Sequence, residues 1–482
     1  MEENPFVKKW RKGMRRIALV YPNAYASGIA NIGLQYIYAY LNSLENCICE
    51  RFYLDVHNCL RSFESGTPLK DFDLALFSLQ FEEDYFNAVR ILRESGFKGL
   101  KVAGGPCAMI NPKPISKFFD AFVVGEVENS KVLDVIANAK TVEDLECEGI
   151  WVKEGRVKRI YPKKLDFYLN RQIIANSVFG RCLILEVGRG CVRRCRFCVV
   201  RQIYSPPRWR DVRILIETAE DYRGFVDKAC LVAPSTLDHP RIKDLLSELV
   251  GMGFTVSPSS TRADRLDEEI VEILVEGGLR SVTIAPEAGS DRIRDVLNKG
   301  LSEEDIINAV KICSERGIRS FKFYFMIGLP NERFEDVKGI VELVKKVRSM
   351  KVDVSVSINP LSPKPHTPLQ WCPYTGFDDF KEGFRVLKER KRFLIRELSK
   401  LCEVNVESVE RFAVQTVLSR GDTDVCRLFD FKPNLRAVEK LGLTKYLKRI
   451  PLEVELPWDF IDHGYKKDRL AEEFIRACEF RS

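Results

Sequence analysis

Short apolar runs alternate with helix-like segments in two long series, and this alternation restricts the fold more than any other feature of the chain. Strand, helix, strand in succession calls for parallel pairing through right-handed crossovers. The first series spans about residues 14–148. It has strand-like runs at 16–22, 50–56, 74–78, 100–103 and 121–124, and helical patterns at 34–44, 81–95 and 114–119. The second spans about 181–372, with runs at 182–187, 229–233, 255–258, 281–285, 320–325 and 354–358, and helical patterns at 267–276, 303–316 and 334–347. The expected fold class is α/β. A doubly wound Rossmann-like domain (14–148) comes first, then a linker hairpin (149–180) turning at Glu154 and Gly155. A partial, TIM-barrel-like (β/α) barrel (181–372) follows, and a small, mostly helical C-terminal region (373–482) covers it.

A chain of 482 residues is too long for one core, which agrees with several domains. It has no apolar stretch long enough to span a membrane, and its first residues lack a signal-peptide core, so a cytoplasmic location is expected. The net charge of +7, from 76 basic and 69 acidic side chains, permits a nucleic-acid partner without arguing for one. The charge-rich stretch 377–398 reads first as a solvated helix face and second as a phosphate-contacting surface. The fifteen cysteines are odd in number and scattered, so no disulfide framework is expected, and most read as small buried hydrophobes.

Ligands of doubly wound sheets sit beyond the carboxyl ends of strands. In the first domain those ends carry Tyr25, Ser78, the pair Gly104 and Gly105, and Gly125 with Glu126. Glycines there either admit a large ligand close to the backbone or simply make tight turns. In the second series, Gly188-Arg-Gly190 leads into Cys191-Val-Arg-Arg-Cys195-Arg-Phe-Cys198. Three thiolates on one short loop suit a soft iron–sulfur or zinc centre. Structural zinc would take a fourth ligand, and an electron-carrying cluster usually takes four cysteines. The next cysteine is Cys230, so a cluster here would keep one iron open.

The CxxxCxxC spacing, with Phe197 before the last cysteine, resembles the radical S-adenosylmethionine (SAM) superfamily. The resemblance implies a radical SAM barrel and a 4Fe-4S cluster on Cys191, Cys195 and Cys198. The open iron would chelate the methionine moiety of SAM, and an external electron donor such as ferredoxin or flavodoxin would drive cleavage to a 5′-deoxyadenosyl radical. Carried over by position, it also implies Phe197, Ser260, Arg262, Glu287 and Ile327 as SAM contacts. Glu287 reads equally well as a residue at a helix N-terminus. The family's Gly-Gly-Glu element should fall near Ala233-Pro-Ser235 and does not match there. The proline-rich stretch Asn359–Trp371 also resembles these enzymes, and His366 or Lys364 reads equally well as facing substrate or as part of a structural lid edge.

The stretches Ala103-Gly-Gly-Pro-Cys-Ala-Met-Ile-Asn-Pro112 and Phe119-Asp-Ala-Phe-Val-Val-Gly-Glu126 resemble the cobalamin-binding domain in front of many such enzymes. That likeness implies a cobalamin face built from Tyr25, Ser78, Gly104, Gly105, Gly125 and Glu126. The cobalt-ligating Asp-x-His-x-x-Gly motif is missing, and His57 in Asp55-Val-His57 reads as a surface or turn histidine. The expectation is a radical SAM enzyme that uses cobalamin, with methyl transfer as the favoured outcome. Two alternatives stand beside it. One is a cobalamin-independent, methylthiotransferase-like RNA-modifying enzyme, although the spacing of Cys47, Cys49, Cys59, Cys107 and Cys147 does not match a second-cluster pattern. The other is a non-catalytic iron–sulfur sensor or electron carrier.

Overall fold

The computed structural model describes residues 2–165, 171–259 and 261–478. The chain divides into two compact units, each drawing on segments far apart in sequence. The first holds residues 1–184, 418–433 and 455–465, and the second holds 185–417, 434–454 and 466–482.

The first unit is built on six strands: β1 (Arg15–Tyr21), β2 (Cys47–Tyr53), β3 (Leu74–Ser78), β4 (Leu100–Gly104), β5 (Ala121–Val123) and β6 (Ile150–Trp151). Their order is β2-β1-β3-β4-β5-β6, with only β6 antiparallel. This is the doubly wound arrangement, whose order reverses between β1 and β3. Residues Ile17 to Tyr21 are all buried, as expected of a strand covered on both faces. The helix Ile32–Ser43 supplies one cover; Asn31 caps it by accepting from the Leu34 N–H, and Leu34, Tyr38 and Leu41 enter the core. Strand β2 starts three residues before the expected run, because Cys47 and Cys49 act as small apolar strand residues in register with Arg15 and Ile17.

The linker departs from the expected hairpin. Its two arms do not pair with each other: β6 joins the front sheet, while Val157–Lys158 pairs in parallel with Ile461–Asp462. Aromatic packing gives the reason, since Trp151 lies 5.8 Å from Phe122 and 4.3 Å from Phe460. The tail therefore completes the first unit. Asn111 Nδ2 donates to the carbonyls of Ser419 and Gly421 at 3.0 and 2.7 Å, and Phe429 packs edge-on against Phe86 and Phe118.

Seven strands build the two larger sheets of the second unit: β7 (Leu183–Glu186), β8 (Lys228–Val232), β9 (Thr255–Pro258), β10 (Ser281–Glu287), β11 (Ser320–Ile327), β12 (Asp353–Pro360) and β13 (Glu403–Val406). They form a three-stranded sheet β7-β8-β9 and a four-stranded parallel sheet β10-β11-β12-β13. Neighbours follow chain order with helices between, the arrangement of a partial (β/α) barrel. Local chemistry sets the helix starts: Asp267, Ser290 and Asp379 accept from N–H groups of the helices they precede, and Ser302 with Asp305 forms a capping box. Among the described residues no helix is long and apolar enough to cross a membrane.

Candidate active site

The cysteine loop begins where β7 ends. Glu186 closes that strand and accepts from Arg189 at 2.6 Å and from Arg210 at 2.9 Å. Burial opposes its charge, yet the two guanidiniums hold the carboxyl below its usual range. Gly190 then turns the chain at φ 75°, where a Cβ would meet the Tyr204 carbonyl oxygen at 2.5 Å.

The arginines between and beside the cysteines fix the loop. Arg193 binds Asp238 at 2.5 Å and Asp264 at 3.1 Å, and Arg265 also binds Asp238, at 2.6 Å. Burial works against the Asp238 carboxylate, but hydrogen bonds from Arg193, Ser235 and Arg265 hold it well below the usual carboxylate range. Arg196 donates to the carbonyls of Asp295 and Val296 and pairs with Glu473 at 2.9 Å. Asn298 holds the Arg194 carbonyl, and Arg201 holds that of Arg193. Irregular backbone that carries three thiols is thus tied down from several elements at once.

Cys191, Cys195 and Cys198 are all half-buried, and each of the last two feels the charge of its neighbours in the trio. Burial raises the Cys195 thiol, with Lys299 and Arg262 pulling it back, and it pushes the Cys198 thiol up to about 11. Metal coordination reverses such a shift, because a ligating thiol gives up its proton. Among the described residues no three His, Cys, Asp or Glu side chains converge tightly enough for a single ion. A cubane asks for a different arrangement, with each thiolate on its own corner iron and the sulfurs spread around the cluster. Three thiols on one braced loop beside cationic side chains fit that donor set.

The ends of β9 and β10 come to the same loop. Glu287 is the last residue of β10, sits at φ 69°, and follows a register shift that begins at Ile284. A non-glycine residue held in the left-handed region points to a functional demand on its side chain. It pairs with Lys299 at 2.9 Å, whose Nζ stands 5.8 Å from the centre of the Phe197 ring. Glu287 is therefore a strand-end residue, and the helix-terminus reading does not hold: the next helix, Asp291–Val296, is capped by Ser290. Arg262 donates to Asp264 at 2.8 Å and to the carbonyls of Lys299 and Gly300 at 3.2 and 2.8 Å. Ser260 lies outside the described residues. Ile327 ends β11 and is fully buried, followed by Gly328 at φ 79°.

Sequence reasoning missed Lys299, Arg193 and Asp238. Asp238 comes just after the place where the Gly-Gly-Glu element is expected, and a search for a carboxylate rather than a motif would have met it. Behind β11, Glu332 accepts from the Gly328 N–H at 3.0 Å and pairs with buried Arg390 at 2.6 Å, which fixes that strand end from the Phe380–Leu398 helix. Of the proline-rich loop, His366 is buried at φ 64°, its N–H donating to Gln370 at 2.8 Å, and the Lys364 carbonyl accepts from Thr367.

In the first unit, Tyr25 and Ser78 stand at the β1 and β3 ends, the two sides of the switch point. The Tyr25 hydroxyl donates to Glu2 at 2.6 Å and its ring stacks on Phe63 at 5.1 Å, while Ser78 accepts from Gln80 at 2.8 Å. Asp84, also missed, ties the two loops together: it accepts from Asn23 at 3.0 Å and from the N–H groups of Gln80 and Phe81 at 3.1 Å. Gly104 has room, since a Cβ there would meet nothing nearer than Val123 at 3.5 Å. Gly105 and Gly125 are closed by the chain itself, with the Leu79 carbonyl oxygen at 2.7 Å and that of Ile160 at 2.1 Å from such a Cβ. Glu126 forms a buried pair with Arg159 at 3.4 Å, and His57 is exposed at φ 52° in the turn after β2.

Comparison with known proteins meets this geometry. The radical SAM superfamily profile matches residues 185–344, and the profile for radical SAM proteins, N-terminal, matches 33–161. An uncharacterised protein of Methanocaldococcus jannaschii is 36% identical over 457 residues, which is 91% of this chain and 97% of that one. A putative methylthiotransferase of the same organism is 26% identical over 323 residues (61% of this chain, 69% of that one), and an uncharacterised methyltransferase of Pyrococcus horikoshii is 26% identical over 290 (55% and 61%). Among solved structures, the cobalamin-dependent SAM radical enzyme OxsB, with aqua-cobalamin and SAM bound, superposes with a TM-score of 0.56 at 13% identity, covering 96% of this chain and 79% of that one. That likeness is one of fold, and it extends through both units. The chain belongs to the radical SAM superfamily, as an enzyme that reductively cleaves SAM at a 4Fe-4S cluster and carries a cobalamin-binding-like domain in front of its barrel.

Proposed function

We propose that Cys191, Cys195 and Cys198 hold the cluster, that the first unit binds cobalamin, and that the reaction is methyl transfer. The observation that carries the reading is the fold likeness over 96% of the chain to an enzyme with aqua-cobalamin and SAM bound. Two features of the chain's own residues support it. The switch point of the first sheet is the position at which such folds take a ligand, and its loops are cross-tied there by Asp84. Gly104 leaves its backbone open to a flat ligand, while the one histidine near the strand ends by sequence, His57, is exposed after β2. These residues would suit a large flat ligand such as a corrin resting on backbone at the switch point.

In the barrel unit, the cluster when bound supplies the electron for cleaving SAM. Arg193 and Arg196 keep the three thiols in place through Asp238, Asp264 and Glu473. Lys299 would balance thiolate charge beside Cys195 and pairs with Glu287, whose carboxylate would receive the methionine ammonium in place of the absent Gly-Gly-Glu element.

The methylthiotransferase-like alternative needs a second cluster in the first unit. Its cysteines sit on separate elements: Cys47 and Cys49 on β2, Cys59 in a turn, Cys107 on the Pro106–Ile110 helix and Cys147 before β6. Cys47 and Cys59 donate to the carbonyls of Leu41 and Tyr21, as buried structural thiols do. The deciding experiment is cobalamin retention. The protein is reconstituted with iron and sulfide without oxygen, mixed with hydroxocobalamin, desalted, and its visible spectrum recorded. About one cobalamin and about four irons per chain are expected. No retained cobalamin removes it as methyl carrier, and about eight irons would favour the two-cluster alternative.

A further inference from the structure

The helix Lys467–Cys478 belongs to the second unit, and its packing brings together two thiols that lie outside the cysteine loop. The helix rests on the turn Pro368–Trp371, with the rings of Trp371 and Phe474 5.6 Å apart. Cys372 directly follows that tryptophan, and its N–H donates to the Leu369 carbonyl at 3.0 Å. Cys478 comes one helical turn after Phe474 and so lies on the same face of the helix. Asn331 Nδ2 fixes the helix end by donating to the carbonyls of Ala477 and Cys478 at 2.8 and 3.0 Å. The next segment is tied in as well. The Ile450 N–H donates to the Trp371 carbonyl at 3.1 Å, while the Arg449 guanidinium stands 5.8 Å from the Phe474 ring and pairs with Asp378 at 3.0 Å. Within this frame a hydrogen bond joins the Cys372 and Cys478 thiols.

Other thiols of the chain bond to backbone: Cys47 donates to the Leu41 carbonyl, Cys59 to that of Tyr21 and Cys426 to that of Pro114. Such buried thiols are inert structural groups. Cys478 differs from them in its partner, in being only half-buried, and in accepting a hydrogen bond from Arg449. The bond with Cys372 and the Arg449 charge hold its thiol below the usual range, against burial. A half-buried thiol that ionises easily, touching a second thiol, is the arrangement that thiol–disulfide exchange uses.

We propose that Cys372 and Cys478 form a reversible disulfide that staples the Lys467–Cys478 helix to the Pro368–Trp371 turn. The oxidant is a small-molecule disulfide. The Cys478 thiolate attacks one of its sulfurs, forming a mixed disulfide and releasing one thiolate. Cys372 then gives up its proton and attacks the Cys478 sulfur, releasing the second. The two protein thiols lose two electrons, and the oxidant is reduced to two thiols. The bridge closes a loop of about a hundred residues, long enough to restrict the unfolded chain strongly. The stapled helix also carries Glu473, which holds Arg196 of the cysteine loop at 2.9 Å. The disulfide stands on its own geometry. Its consequence, a firmer brace on the loop, bears on the cluster through the assignment of Cys191, Cys195 and Cys198.

The test uses the reconstituted holoenzyme without oxygen, with oxidised glutathione as the probe. Remaining thiols are blocked, the protein is digested without reduction, and the peptides are read by mass spectrometry. One peptide joining Cys372 to Cys478 is expected, and dithiothreitol should abolish it. The oxidised holoenzyme should melt at least about 3 °C above the reduced form. Cys372→Ser and Cys478→Ser should lack both the joined peptide and the shift. After a fixed heat challenge, bound iron should be at least about twofold higher in oxidised than in reduced unaltered enzyme, and equal in the two states of Cys478→Ser. Recovery of Cys372 and Cys478 as thiols overturns the inference, as does glutathione left on Cys478 without a bridge. A joined peptide with an unshifted melt overturns the staple. Absence of iron in the unaltered enzyme would sink the cluster assignment instead, and the joined peptide would still decide the disulfide.

Discussion

The two units bring strand ends together in opposite ways. In the first, the loops after β4 and β5 are closed by backbone at Gly105 and Gly125, those after β1 and β3 are tied by the Asp84 carboxylate to neutral amide and N–H donors, and the pair of Glu126 with Arg159 is buried. In the second, the loops after β7, β8, β9 and β10 are closed by charged side chains: Glu186, Asp238, Arg262 and Glu287 each bind a residue on or beside the cysteine loop. A platform for a large neutral face needs flatness, which backbone provides. A centre that must hold thiolates needs positive charge at fixed positions, which only braced side chains provide.

Cysteine replacement should break this contrast most completely. Cys195→Ala is expected to lower bound iron from about four per chain to below about one, and to abolish 5′-deoxyadenosine formation, while Cys59→Ala leaves both unchanged. Iron analysis and product chromatography check this; equal iron loss from both variants would mean that the two sets of thiols do not differ.

The Glu287–Lys299 pair gives the next effect. Lys299→Met leaves Glu287 without its cation, and SAM cleavage is expected to fall about tenfold or more with iron content retained. Unaltered cleavage with a lowered melting temperature would make the pair structural only.

In the first unit the expected effect is on stability. Gly125→Ala places a Cβ against the Ile160 backbone at φ 136° and should destabilise by about 2–4 kcal/mol, read as an earlier melting transition, with dithionite-driven cleavage per folded molecule little changed. A melt like that of unaltered protein would show that the 160 segment can move aside.

The smallest effect is on pH. Burial, aided by nearby Arg159, pushes the His463 imidazole down to about 3, against a bond to the Met109 carbonyl that favours its proton. The folded form thus prefers neutral histidine. The stability this contributes is complete above the unfolded pKa of about 6.5 and is lost as pH falls toward 3, by up to about 1.4 kcal/mol per pH unit. Melting curves between pH 7 and pH 5 should show this decline, and His463→Gln should reduce its slope.

The alternation of apolar runs makes both sheets readable, because strand and crossover periodicities are local. Even there, the start of β2 reads three residues late, since two cysteines do not look like strand residues until β1 pairs with them. The three thiols are equally legible, because one loop supplies them all. The arms of the expected hairpin at 150–160 are not, as they find partners in β5 and in residues 461–462, more than three hundred residues away for the second arm.

The sequence by itself determined the two α/β series and the cysteine loop, since each depends on residues close along the chain. Only the tertiary structure decided that Asp238 holds Arg193, that Lys299 joins Glu287 to Phe197, and that Gly125 serves the 160 segment. The physical reason is that charge pairing and close backbone approach act through space over a few ångströms, and the residues that come so close here belong to elements whose separation in sequence carries no periodic signal.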